Sequence, residues 1–176
     1  MIETLISSKT RVKLLMKFFI NASTTAYLRG LHQEFGESTN AIRVELNRLE
    51  KAGMLRSSNL GNKKIFQANQ QHPLFEEIHN ILLKHIGLDH IIEQVIERLG
   101  DVEEVYLTGD FARGIDSPII DLLIVGDIDR SYLLELIAKT EKIVRRKIRY
   151  LICRTEEIAQ FRQPEQDSLL LWSKTD

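Results

Sequence analysis

The chain has 176 residues and a formal net charge of −1, but residues 1–70 carry a net +6 and the remainder a net −7. Its length suits one large domain or two small ones, and this division suggests that the basic half contacts a polyanion. No apolar run of about 18 residues could span a bilayer, no signal peptide is evident, and the single cysteine, Cys153, excludes a disulfide framework. We therefore expect a cytoplasmic protein without membrane contact.

Three short helices are predicted in the basic half, over residues 8–20, 24–35 and 38–52. Each begins at a residue whose side-chain oxygen can accept a hydrogen bond from the first turn, and two end at a glycine. The predicted caps are Ser8, Thr24 or Thr25, and Ser38, and the terminating glycines are Gly36 and Gly53.

The third helix has an apolar and a polar face. At about 100° per residue, Ile42, Leu46 and Leu49 form one stripe. The opposite face presents amide, guanidinium and methyl groups, which are the groups that read base edges in the major groove of DNA, although any solvated helix face can have this composition. The DNA-binding residues predicted on this helix are Thr39, Asn40, Arg43, Val44, Asn47 and Lys51.

A basic hairpin follows the third helix. Residues 54–69 alternate in the manner of strands around an Asn-Leu-Gly-Asn turn. Three helices and a hairpin predict a winged helix-turn-helix domain over residues 1–72, whose third helix enters the major groove while the hairpin tip contacts phosphates or the minor groove. The DNA-binding residues predicted at the tip are Asn62, Lys63 and Lys64.

The segments "VELNRLEKAGML" and "GNKKIFQAN" within this half resemble the ArsR-like winged-helix regulators of bacteria. The resemblance covers about the first 70 residues. It implies binding to double-stranded DNA, usually as a dimer. Many such regulators sense metals through cysteine or histidine clusters, and the absence of cysteine from this half argues against that type of sensing.

Residues 73–100 predict two amphipathic connecting helices, separated at Gly87 and ending at Gly100. Their apolar faces could pair with a second copy of the chain or pack onto the following domain. The histidines of this region do not indicate a metal site, because no two of them are spaced i, i+4 on one helix face. These histidines are His72, His79, His85 and His90.

In the acidic half, the predicted strands "VEEVYLTG" and "PIIDLLIVG" flank the turn "GDFARGIDS". This segment resembles the minimal nucleotidyltransferase domain, whose signature is Gly-Ser-x-Ala-Arg-Gly followed by Ser-Asp-x-Asp and three aliphatic residues. The positions that correspond to the signature are Gly109, Asp110, Ala112, Arg113, Gly114, Ile119, Asp121, Leu122 and Leu123. Active members hold two Mg²⁺ ions on carboxylates of adjacent strands and seat a triphosphate on the glycine-serine turn.

Three requirements of that chemistry are not met. Ile119 replaces the first carboxylate, and Asp110 sets a negative charge where the serine would seat phosphates. The next predicted strand, residues 146–153, contains no acid. We therefore expect no catalysis, no catalytic residues, no metal and no cofactor, with Gly109, Gly114 and Arg113 serving the turn. The alternative is a rearrangement of Asp110, Asp116 and Asp121 around one metal ion.

The predicted helix 131–144 and the strand after it complete a small mixed sheet covered by helices, and "TEEIAQF" and "DSLLLW" predict two closing helical pieces. The chain is thus predicted to be α+β, with a degenerate nucleotidyltransferase-like domain over residues 101–176.

The predicted function is a DNA-binding transcriptional regulator acting as a homodimer. Its second domain would serve dimerisation, sensing of a small-molecule or nucleotide effector, or partner docking. Two alternatives remain open: an active nucleotidyltransferase that modifies a protein or small molecule, and an antitoxin-like partner of a small helical toxin.

Overall fold

A computed structural model describes residues 2–99, 101–161 and 167–174 of the chain. It divides the chain into two compact units, Met1–Leu82 and Leu83–Asp176. Both units combine helices with a sheet, which confirms the predicted α+β class. The predicted domain borders after residues 72 and 100 stay predictions, and the predicted helix end at Gly100 lies outside the described residues.

The first unit contains an antiparallel three-stranded sheet, in the order β1-β3-β2, and a set of helices. Its elements in chain order are α1 (Ile2–Leu5), α2 (Lys9–Phe19), β1 (Thr25–Tyr27), α3 (Leu28–Phe35), α4 (Thr39–Lys51), β2 (Leu55–Leu60), β3 (Lys63–Ala68) and the first part of α5 (Phe75–Ile86).

Capping and burial explain where the helices of the first unit form. The hydroxyl of Ser8 accepts a hydrogen bond from the amide of Arg11 at 3.2 Å, and that of Ser38 accepts one from Ala41 at 3.1 Å. At the C-terminus of α3, Gly36 has a φ of 66°. These predicted boundaries are confirmed, and the predicted apolar stripe of α4 is buried. The stripe consists of Ile42, Leu46 and Leu49.

The start of the predicted second helix is wrong. Thr25–Tyr27 is a strand, β1, that pairs with β3, and α3 starts only at Leu28. The extended segment gains backbone hydrogen bonds from a partner far along the chain, which outweighs the capping tendency of a threonine. The predicted hairpin is confirmed, with Gly61 and Asn62 forming the turn between β2 and β3.

A partly buried ion pair joins α2 to α4. The Arg11 Nε lies 2.8 Å from the Oε2 atom of Glu45, whose side chain is 7% exposed. Arg48 lies 3.0 Å from the other carboxylate oxygen. Burial acts to raise the pKa of Glu45, but the hydrogen bond from Arg11 and the neighbouring positive charges lower it below its ordinary value. Glu45 therefore stabilises the helix packing as a carboxylate.

The second unit contains a four-stranded mixed sheet in the order β6-β5-β4-β7. Strand β4 is antiparallel to both of its neighbours, whereas β5 and β6 are parallel and joined through a helix. The elements after α5 are α6 (Leu88–Ile91), a π-helical turn (Ile92–Ile96), α7 (Glu97–Leu99), β4 (Val102–Thr108), α8 (Gly109–Ala112), β5 (Ile119–Gly126), α9 (Arg130–Val144), β6 (Lys147–Cys153), a 3₁₀ turn (Thr155–Glu157), α10 (Ile158–Phe161) and β7 (Ser168–Ser173).

The strand-strand-helix-strand order expected of the second unit is confirmed, and Asp129 caps α9 by accepting from the amides of Ser131 and Tyr132. The predicted helix at "DSLLLW" is wrong, because Ser168–Ser173 forms an edge strand that pairs with β4. A short apolar run has no period that separates a strand from a helix, so tertiary pairing decides its conformation.

The sheet of the second unit is buried in its middle. Tyr106, Leu123, Val125 and Cys153 form a buried cluster on one face. Burial raises the pKa of the Cys153 thiol, so this free cysteine remains protonated at neutral pH. Within the described ranges, no helix has the length and apolar character needed to cross a bilayer.

Candidate nucleic-acid interface and the 109–121 turn

A groove of about 460 Å³ lies between α4, the start of α3 and the β2–β3 hairpin. Its apolar floor is formed by Leu28, Leu46 and Phe66. We call it the basic groove, because its polar wall is formed by cations and amides and none of its described lining residues is acidic. The polar wall consists of Arg29, Arg43, Asn47, Asn62, Lys63 and Lys64.

The basic groove brings together five of the nine predicted DNA-binding residues. Arg43 and Asn47 come from α4, and Asn62, Lys63 and Lys64 come from the hairpin. The other four belong to α4 but do not line the groove: Asn40, Val44 and Lys51 are exposed and Thr39 is half-buried.

The lining of the groove includes Tyr27 and Arg29, which sequence reasoning missed. Tyr27 was missed because Thr25–Tyr27 was predicted to be part of a helix and forms β1 instead, whereas Arg29 lies in α3 and was not among the predicted DNA-binding residues. The Lys63 ammonium lies 4.4 Å from the centroid of the Tyr27 ring. A cation in this position is attracted by the ring face, so the ring holds the lysine at the groove. For Tyr27, the information that the sequence pattern lacked is the pairing of β1 with β3.

Lys64 has a different environment from its neighbour. Its ammonium lies 2.7 Å from the Oε2 atom of Glu50 on α4 and 5.0 Å from the centroid of the Phe66 ring. The hydroxyl of Ser57, on β2, donates to the other oxygen of Glu50. The hydrogen bonds from Lys64 and Ser57 lower the pKa of Glu50 below its ordinary value.

In the second unit, the turn after β4 is folded tightly against Asp121. Gly109 has a φ of 66°, and a Cβ atom at this position would overlap the Asp121 carboxylate. Gly114 also has a left-handed backbone, with a φ of 72°. Both glycines thus serve the backbone of the turn, and Gly109 has no room for a side chain.

The aspartates around this turn are paired with arginines. Arg113 lies 2.7 Å from Asp110, three residues apart on the same turn. Asp121 forms an ion pair with Arg149, which faces it in the parallel register of β5 and β6. The hydrogen bond with Asp121, aided by its charge and that of Asp110, raises the pKa of Arg149 above its ordinary value.

The same register places Lys147 opposite Ile119, and β6 contains no acidic residue over Lys147–Cys153. Asp116 lies 2.8 Å from Arg146. The three aspartates Asp110, Asp116 and Asp121 are therefore each paired with a different arginine. Within the described part of the chain, no group of three His, Cys, Asp or Glu side chains could hold a metal ion.

No protein-family model and no curated protein matches the sequence significantly. Among solved structures, a Sulfolobus solfataricus protein described as a candidate nucleotidyltransferase is similar to 55% of this chain over 85% of its own, with 23% identity and a TM-score of 0.39. A protein of Archaeoglobus fulgidus is similar over 47% of this chain and 93% of its own, with 14% identity and a TM-score of 0.39.

The complex of the tri-AMPylated HEPN toxin of Shewanella oneidensis with an MNT antitoxin also contains a similar chain. It matches 49% of this chain over 70% of its own, with 17% identity and a TM-score of 0.38. Similarities of this size do not establish a family.

Proposed function

We propose that the chain is a DNA-binding transcriptional regulator whose first unit is a winged helix-turn-helix domain. The observation that carries the proposal is the basic groove, where Arg43 of α4 lies together with Arg29 and Lys63 and no acidic lining residue is among those described. Each of these cations would increase the affinity for a polyanion, because each phosphate that is neutralised releases condensed counterions.

In this proposal, α4 contacts the base edges of the DNA and the basic groove binds the phosphate backbone of the duplex. The exposed side chains of Arg43 and Asn47 can form paired hydrogen bonds with guanine and adenine edges in the major groove. Lys63 and Asn62 lie at the hairpin tip, where a wing meets phosphates or the minor groove. Asn40 and Val44 extend the same exposed helix face.

The proposal is tested by selecting duplexes from a random pool and measuring affinity for the selected sequence by fluorescence anisotropy over a series of salt concentrations. Arg43→Ala should weaken specific binding by roughly tenfold to a hundredfold and relax the preference at one base pair. Lys9→Ala serves as the control, since this exposed lysine does not line the groove. An unchanged affinity of the Arg43→Ala protein, or the absence of any selected sequence, would overturn the proposal.

We also propose that the second unit does not catalyse nucleotidyl transfer and serves dimerisation, effector sensing or partner docking. The arginine partners of Asp110, Asp116 and Asp121 support this, because each carboxylate would have to leave its cation before it could bind a metal. Incubation with labelled ATP, Mg²⁺ or Mn²⁺ and candidate acceptors tests it. Label transfer that is lost in the Asp121→Ala protein would overturn the proposal and favour the enzyme.

We propose a homodimer as the DNA-binding form. Two copies related by a two-fold axis would read two half-sites, so the selected duplex should itself have dyad symmetry. Sedimentation of the protein with that duplex should give two chains per duplex. A single asymmetric site bound by one chain would contradict the dimer while leaving DNA binding in place.

A further inference from the structure

The two lysines at the start of β3 are held by different neighbours. Because successive residues of a strand point to opposite faces, Lys64 shares the strand face of the buried Phe66, whereas Lys63 points to the other face. The Lys63 ammonium rests on the ring of Tyr27, and the Lys64 ammonium is bound by the carboxylate of Glu50. Adjacent positions of the same residue type therefore differ in how available they are to a ligand.

Glu50 connects three elements through one carboxylate. It belongs to the last turn of α4, and its Oε2 atom accepts a hydrogen bond from Lys64 of β3 at 2.7 Å. Its Oε1 atom accepts the hydroxyl hydrogen bond of Ser57 on β2. Both strands of the hairpin are thus attached to the helix by a single side chain.

We propose that Glu50 and Lys64 are positioning residues for duplex binding: their ion pair, together with Ser57, sets the orientation of the hairpin relative to α4, and Lys63 contacts the phosphate. This inference rests on the proposed DNA-binding function. If Lys64 left Glu50 for a phosphate, the carboxylate would lose its cation beside a polyanion, which electrostatics disfavours. The role of Lys64 then differs from the direct DNA contact expected from its place in the sequence.

Neutralising Glu50 should change the affinity for the duplex in opposite directions, depending on whether Glu50 acts only through its charge or positions the hairpin. Glu50→Gln removes a negative charge from the DNA-facing surface, so charge alone predicts tighter binding. The positioning role predicts binding that is weaker by roughly twofold to fivefold, which is the usual effect of a half-exposed ion pair. The dependence of affinity on salt should stay unchanged in this variant, whereas Lys63→Gln should reduce the salt slope by about one.

An exchange of the two charges gives the strongest test, because it preserves the net charge of the surface. Lys64→Glu alone should weaken duplex binding strongly, since it places two carboxylates side by side. Adding Glu50→Lys to that variant should restore most of the lost affinity by re-forming the pair in reverse. If the exchanged protein binds as weakly as the Lys64→Glu protein, Lys64 contacts DNA itself and the inference is overturned.

A measurement without DNA separates this inference from the proposed function. The Glu50 carboxyl is titrated by NMR in the unmodified protein and in Lys64→Gln, where its pKa should return towards the ordinary value and hairpin amides should exchange faster. An unchanged Glu50 titration overturns the inference even if DNA is bound. A protein that binds no duplex overturns the proposed function, and the same titration still decides whether Glu50 and Lys64 attach the hairpin.

Discussion

The two units use their charged side chains in opposite ways. Along the basic groove of the first unit, Arg29 and Arg43 have no carboxylate partner within the described part of the chain. Around the 109–121 turn of the second unit, Asp110, Asp116 and Asp121 each have an arginine partner. A cation with no carboxylate beside it is available to a phosphate, and a carboxylate bound by arginine is less available to a metal ion.

The comparison teaches that pairing, more than net charge, determines what a surface can bind. The net charges of +6 and −7 of the two parts indicate the sign of a partner but not the site. In the second part, the acids that the sequence offers for chemistry are paired within the fold. In the first part, the acids of α4 face away from the groove or attach the hairpin, as Glu45 and Glu50 illustrate.

The largest expected effect is a loss of stability on substituting Gly109. It tests how tightly the turn of the second unit packs against Asp121. Gly109→Ala should lower the free energy of unfolding by about 3 kcal/mol, since it combines a left-handed backbone with overlap of the new methyl group and the carboxylate. Gly61→Ala is the matched control, having a φ of 60° and open space around it, and it should cost about 1 kcal/mol. Urea unfolding measures both, and equal losses would mean that the turn is not closed on Asp121.

The second prediction concerns Glu45, the buried acid of α4. It tests whether this residue contributes to stability and not to duplex binding. Glu45→Gln should lower the free energy of unfolding at pH 7 by about 1 to 2 kcal/mol through loss of the charge paired with Arg11. Because the folded pKa of Glu45 is depressed, its contribution is present above the unfolded value of 4.5 and disappears as the pH falls through the folded value.

The Glu45→Gln protein should therefore lose stability less steeply than the unmodified protein as the pH falls below 4.5, in unfolding experiments across that range. Its affinity for the selected duplex should stay unchanged at pH 7. A loss of affinity comparable with that of Arg43→Ala would place Glu45 in the interface and break the contrast between the two units.

The smallest expected effect concerns the ring that holds Lys63 at the groove. Tyr27→Leu should weaken duplex binding by roughly twofold to fivefold, since the lysine loses about 0.5 to 1 kcal/mol of attraction to the ring face. Tyr27→Phe keeps the ring and should bind as the unmodified protein does, by the same anisotropy measurement. An equal loss in both variants would assign the effect to the hydroxyl group instead.

Local signals in the sequence predicted the features that depend on nearby residues. The caps at Ser8 and Ser38 and the end of α3 at Gly36 follow from side chains or backbone within four residues. The hairpin follows from alternation and a glycine turn. The helix period likewise separated the buried stripe of α4 from its exposed face.

The features that were mispredicted or missed depend on pairing between distant parts of the chain. Thr25–Tyr27 and Ser168–Ser173 become strands because β3 and β4 supply their hydrogen bonds. The place of Tyr27 in the groove follows from the first of these pairings, which sets it opposite Ile65 of β3. The Asp121–Arg149 pair depends on the parallel register of β5 and β6, which α9 connects and which no local pattern encodes.

The position of β4 between β5 and β7 has a consequence for the order of folding during synthesis. The sheet of the first unit is complete once Ala68 has left the ribosome, so the basic groove can form early. Strand β4 obtains one neighbour soon after it emerges, but its other edge waits for Ser168–Ser173. Until β7 pairs with it, that edge of β4 presents unpaired backbone groups to which the strand of another chain can add.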